Sequence, residues 1–304
     1  MSQNLIGFDS TKSTLLGSYQ NQKLHHAILL SGKKGVGKSS FAKELVLEIL
    51  ESTNQTHPDL LLIEKEAEKK EITVDKIRTI ASFSNQTAAI SPSKFIIVDS
   101  ACELNKSASN ALLKILEEPH QNNFLILIAH NLSRVLPTIK SRCQIIKAPD
   151  LTFENFCEIL RKKKPSISSE ELKFLSDICD NSPAEAINLG ADLTRLYDLF
   201  LNSLKAKKIN EELLKKISDK NFSFSILQKI MEFFFNRTLK FSSNSQLEFY
   251  FSEEEVFLNL IQKIPPQKIF TIVDESLILL NRTIALNLDK KLTFINIFNN
   301  ISYE

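Results

Sequence analysis

The sequence predicts an α/β domain with a parallel sheet built around a phosphate-binding loop, then a small helical lid and an all-helical C-terminal domain. Three observations predict it. Up to about Asp150, short and wholly apolar runs alternate with stretches of helical periodicity, as a parallel sheet covered on both faces requires. The segment "SGKKGVGKS", Ser31 to Ser39, lies between the first apolar run and a helical stretch and fits G-x-x-x-x-G-K-[ST]. Beyond Asp150 the strand signals fade and helix-capping patterns take over.

The strands read in order as "AILL" (Ala27 to Leu30), "LLLI" (Leu60 to Ile63), "FIIV" (Phe95 to Val98) and "FLILIA" (Phe124 to Ala129). Between them Phe41, Leu45 and Ile49 recur at helical spacing, with Lys43, Glu44 and Glu48 on the other side. Ala108, Leu112 and Ile115 repeat the pattern in "SASNALLKILEEP", where Pro119 stops the helix. Ser168 with Glu171, and Ser182 with Glu185, form capping pairs, with Pro183 at a first helical position and Gly190 as a helix stop. Residues 151–204 therefore read as a bundle of short helices. From Lys205 the chain reads as entirely helical, with Phe233, Phe234 and Phe235 in one segment and Ile269 to Leu288 in a long amphipathic one. Those phenylalanines read as core or subunit interface. Lys205, Lys207, Lys208, Lys215 and Lys216, and the later Glu253, Glu254 and Glu255, read as solvated helix faces.

With 304 residues the chain can hold two or three compact units, expected at 1–150, 151–204 and 205–304. A formal net charge of +2 provides no global field for nucleic acid, so any DNA contact would be local. Cys102, Cys143, Cys157 and Cys179 lie far apart without a C-x-x-C pair, so neither zinc nor a disulfide framework is expected. No apolar run reaches the roughly 18 residues that cross a bilayer, and "MSQNLIGFDSTKS" has no basic start or long apolar block. A cytoplasmic protein with no membrane partner is the expectation.

Chemistry concentrates in the loop. Of six glycines in the chain, Gly32, Gly35 and Gly37 lie here. They let backbone N–H groups wrap phosphates at a helix N-terminus, while Lys38 would reach the β- and γ-phosphates and Ser39 would hold Mg²⁺. Asp99 ends a buried strand and would act on the metal side of a bound ATP or ADP. Where an ATP hydrolase carries a glutamate after that acid, this chain has Ser100, which cannot orient water as a carboxylate does; Glu103 lies too far along to be a simple substitute. The site reads as built to hold a nucleotide more than to split it.

Three further segments follow the loop in order: "HPDLLLIEKEAEKKEITVDKIRTI" (His57 to Ile80), "NALLKILEEP" (Asn110 to Pro119) and "VLPTIKSRCQ" (Val135 to Gln144). Together with "LHHAILLSGKKGVGKSS" they resemble the delta-prime subunits of bacterial DNA polymerase III clamp loaders, a branch of the AAA+ ATPases, from Leu5 to about Ala148. The resemblance implies an AAA+ domain, a lid and an oligomerising collar over 205–304. It implies gamma/tau motor subunits and a delta subunit as partners, with the sliding clamp and primed DNA reached through the complex. It also makes Arg142, in "SRC", an arginine finger acting in trans on a neighbouring ATP site, and it makes His130 or Asn131 the residue near the γ-phosphate sensing position. Lys106 and Lys114 are candidate DNA contacts.

Departures from the family pattern sharpen the expectation. Leu45 to His57 holds no cysteine, so the four-cysteine zinc module common in the family is missing, and the lid's usual arginine would fall near Ala184. The phosphate loop, decayed in some delta-prime subunits, is intact. The expected role is a poorly hydrolysing stator within the DNA polymerase III holoenzyme; the alternative is an ATP-hydrolysing gamma/tau-like motor subunit.

Overall fold

Phe95, Ile96, Ile97 and Val98 are all fully buried, because they form an inner strand of a parallel sheet with helices on both sides. The computed structural model describes residues 6–66, 69, 71–219, 221–243 and 245–302. Leu5, where the family resemblance begins, and Ala67, Glu68 and Lys70 within its second segment lie outside them.

The chain divides into two compact units, Met1–Ile159 with Asn181–Ala184, and Leu160–Asp180 with Glu185–Glu304. The first runs α1 (Asp9–Gln20), β1 (Ala27–Ser31), α2 (Lys38–Ile49), β2 (Leu60–Glu64), α3 (Val74–Asn85), β3 (Lys94–Asp99), α4 (Lys106–Glu117), β4 (Asn123–Ala129), α5 (Pro137–Lys140) and β5 (Gln144–Lys147). Sheet order is β2-β3-β4-β1-β5, every pair parallel. Alternate residues of each inner strand feed two separate apolar layers. Leu29, Ile96, Val98, Leu125 and Leu127 pack with Ile77, Ile80, Leu112 and Leu116 of α3 and α4. Ile97, Ile126 and Ile128 pack with Ala42 and Val46 of α2, while Ile28 and Leu30 meet Phe41 and Leu45. The four expected strands are present as read. The fifth, β5, escaped the sequence reading because it is a short edge strand with Gln144, Ile145 and Lys147 exposed.

The remaining helices are α6 (Phe153–Lys163), α7 (Ser169–Ile178), α8 (Pro183–Ala206), α9 (Glu211–Ile217), α10 (Phe224–Ser242), α11 (Glu253–Lys263), α12 (Pro266–Leu286) and α13 (Lys290–Ser302). Ser168 caps α7, its hydroxyl accepting the Glu171 N–H at 3.0 Å. Gly190 does not stop a helix. It lies inside α8, and a Cβ there would sit 3.1 Å from a Leu175 methyl, so glycine serves the close approach of α7 to α8. The acid run at Glu253 is not a solvated face throughout either. Glu253 is fully buried; its carboxylate receives Arg237 Nε at 2.8 Å, Arg237 Nη2 at 2.7 Å and the Tyr250 N–H at 2.9 Å, and the Tyr197 hydroxyl also donates to it. Phe234 and Phe235 are core, with Phe234 edge-on to Phe200.

Candidate functional site

Parallel strands all end on one edge, and ligands of open α/β sheets bind outside that carboxyl edge. The phosphate loop leaves β1 there, Asp99 ends β3 there, and His130 follows β4 there. The structure thus brings Gly32, Gly35, Gly37, Lys38, Ser39, Asp99 and His130 to one edge across β3, β4 and β1.

Gly35 and Gly37 adopt φ of +78° and +98°, a left-handed conformation that side chains disfavour. Gly37 is the N-cap of α2, so the loop feeds directly into that helix's free N–H groups. Around Gly35 the space is closed. A Cβ would fall 2.1 Å from Ser182 Oγ and 3.3 Å from Ala184 Cβ, and the Ala184 N–H donates to the Gly35 carbonyl at 3.2 Å. Ser182 and Ala184, the latter the position expected for the lid arginine, therefore lie against Gly35.

Lys38 is 5 % exposed. Its ammonium donates to the Gly32 carbonyl at 2.8 Å and to the Lys33 carbonyl, and among the described residues it forms no ion pair. Burial pulls its pKa down from the ordinary lysine value, opposed by the Asp99 carboxylate and the Cys102 thiol. A buried cation whose hydrogen bonds go to carbonyls, with Asp99 acting on it only at longer range, is suited to an anion brought close. A triphosphate fits this donor set: positive-φ glycines, a helix N-terminus and one buried ammonium.

The acids are arranged for holding. Ser100 Oγ donates to Asp99 Oδ1 at 2.9 Å, so the residue in the glutamate position braces Asp99. Glu103 is shared: one oxygen pairs with Lys65 Nζ at 2.8 Å and the other lies 3.9 Å from His130 Nε2. His130 Nδ1 stands 3.3 Å from Cys102 Sγ. Burial lowers the His130 pKa, Glu103 raises it, and Lys34 and Lys38 lower it further; the net direction is down, which keeps the imidazole neutral at pH 7. Asn131 instead caps its own turn, its side-chain oxygen accepting the Ser133 N–H at 3.0 Å. The Cys102–His130 and Lys65–Glu103 contacts escaped the sequence reading, since each pair comes from separate elements with no spacing signal.

Arg142 is not part of this gathering. It lies between α5 and β5, and Gln144 pairs in register with Ile28, near the start of β1, so the arginine sits toward the opposite edge from the loop. Its Nη2 pairs with Glu117 Oε1 at 2.8 Å, its Nη1 donates to the Thr138 carbonyl at 3.1 Å, and its side chain is 37 % exposed. This guanidinium is thus set apart from the phosphate loop of its own chain.

A family model described as "DNA polymerase III, delta subunit" matches residues 8–152. The DNA polymerase III subunit delta' of Pseudomonas aeruginosa is 35% identical over 181 residues, covering 54% of this chain and 55% of that relative, so the match spans little more than half its length. The subunit gamma of Buchnera aphidicola is 30% identical over 251 residues, covering 76% and 67%. The subunit delta' of Bacillus subtilis is 30% identical over 241 residues, covering 74% of this chain and 70% of that one. A chain with this phosphate loop, this parallel sheet and this extent of identity belongs to the family of DNA polymerase III delta' subunits.

Proposed function

We propose that this chain is the stator of a bacterial clamp loader: it binds a Mg-nucleotide, hydrolyses it poorly, and lends Arg142 to the ATP site of a neighbouring motor subunit. Gly32, Gly35, Gly37 and Lys38 would hold the phosphates of ATP or ADP, Ser39 and Asp99 would face Mg²⁺, and His130 would stand at the γ-phosphate side. Bound nucleotide would bring anionic phosphate to the Lys38 ammonium. The residues around it stiffen the loop against the Asn181–Ala184 turn, where Ala184 already bonds Gly35.

One observation carries the reading: Ser100 occupies the water-activating position and spends its hydroxyl on Asp99. Glu103 lies further along the chain and has one oxygen paired with Lys65, so it does not replace the missing glutamate directly. Arg142 points the other way in role, since a planar guanidinium can neutralise charge growing on a transferring phosphoryl group. Residues 151–204 would form the lid, and 205–304 the collar that packs with gamma/tau and delta. Such a ring contact is heterologous, one face donating and a different face receiving. The assembly would place the sliding clamp on primed DNA, with Lys106 and Lys114 as local candidates for DNA contact.

The intact loop and the identity to a gamma subunit favour a second reading, a motor subunit that hydrolyses ATP itself. The two part on ATP turnover by the purified chain, which the motor reading requires and Lys38→Ala would abolish; the finger is tested separately. In a loader reconstituted with its motor subunits, Arg142→Ala is expected to cut clamp- and DNA-stimulated ATPase by about 10³-fold or more while assembly survives; a full rate in that loader overturns the finger.

A further inference from the structure

We infer that Glu117 is a positioning residue for Arg142, its carboxylate aiming the guanidinium that the chain presents to a neighbour. This rests on the finger reading above. Two of the contacts to Arg142 come from its own turn: the Thr138 carbonyl at 3.1 Å and Ser141 Oγ at 3.5 Å. Among the described residues, the tether from another element is Glu117 at 2.8 Å. It is the charged one and the short one.

Glu117 is also in a locally unfavourable place. It is the last residue of α4, where the helix's own partial negative charge favours a cation. A carboxylate at a helix C-terminus is offset by a cation brought to it, and Arg142 is that cation. Side-chain exposures of 37% for Arg142 and 49% for Glu117 leave the pair open to another molecule. An exposed ion pair adds little to fold stability. What it does achieve is to hold a long, rotatable side chain in one direction. The guanidinium has five N–H donors; these contacts occupy at most three, so at least two stay available for a phosphate.

Positioning and competition make opposite predictions. If Glu117 merely competes with an incoming phosphate, removing it speeds the reaction; if it aims Arg142, removal slows it. In the reconstituted loader, Glu117→Ala is expected to lower the stimulated kcat by roughly 10-fold, since modest misplacement of a catalytic group is costly, with the KM for ATP unchanged. Glu117→Gln keeps an acceptor oxygen and should retain most of the rate. The double variant Glu117→Ala with Arg142→Ala should be no slower than Arg142→Ala alone. A Glu117→Ala loader at or above the unmodified rate, or a further loss in the double variant, overturns the inference while a slow Arg142→Ala loader keeps the finger. A full-rate Arg142→Ala loader overturns the finger reading and this inference with it.

Discussion

Lys38 is a buried cation that donates to two backbone carbonyls, and the first consequence belongs to that single residue. Its removal should weaken Mg-ATP binding to the isolated chain by about 10- to 100-fold, the size of a lost charge-assisted contact, as calorimetric titration would read. Gly35 makes a sharper case. Alanine there meets both a φ of +78° and a Ser182 oxygen 2.1 Å from its Cβ. Gly35→Ala should cost about 1–3 kcal/mol of stability, visible as an earlier thermal transition. The loop was legible in the sequence because its residues are contiguous and its glycines few. Ser100 was legible as a missing base. That its hydroxyl braces Asp99, and that Lys65 holds Glu103, was not, because those contacts depend on where strand ends meet.

At the scale of elements, the loop between α3 and β3 hangs on one acid. Asp59 is fully buried and accepts the N–H groups of Ala89 at 2.7 Å and of Ile90 and Ser91 at 3.0 Å. Burial alone would raise its pKa; the three N–H donors and the nearby His57 outweigh it and hold the carboxyl below its ordinary value of 3.8. Its folded pKa lies below the unfolded one, so its stabilisation is complete above that ordinary value and is lost as pH falls through the folded value. Asp59→Ala should therefore cost about 2–3 kcal/mol at neutral pH, with the gap to the unmodified chain shrinking below about pH 4 in acid titrations followed by circular dichroism. Helices and inner strands were readable from apolar period and length. Gly190 misled because a glycine at a helix crossing and a glycine at a helix end look alike without the partner Leu175. Gly190→Val should destabilise by about 1–3 kcal/mol through overpacking, which urea unfolding would measure.

Across the whole molecule both units have apolar cores, but the helical one adds a buried charge pair. The sheet unit packs two apolar layers, and the helical unit sets an ion pair within its aromatic core: Arg237 and Glu253 are 6% and 0% exposed and are joined by two hydrogen bonds. Removing one partner strands the other charge, so Arg237→Ala should cost about 3–5 kcal/mol, read by thermal unfolding. The sequence showed helices here but not this pair, since nothing in an acid run marks which glutamate turns inward. No helix among the described residues is long and apolar enough to cross a membrane. The division of labour between a gripping site and an exported arginine is the central claim, and ATP turnover by the purified chain alone tests it most directly. The account predicts saturable Mg-ATP binding that Lys38→Ala weakens, with at most slow turnover; vigorous phosphate release by the lone chain that Lys38→Ala removes would contradict it.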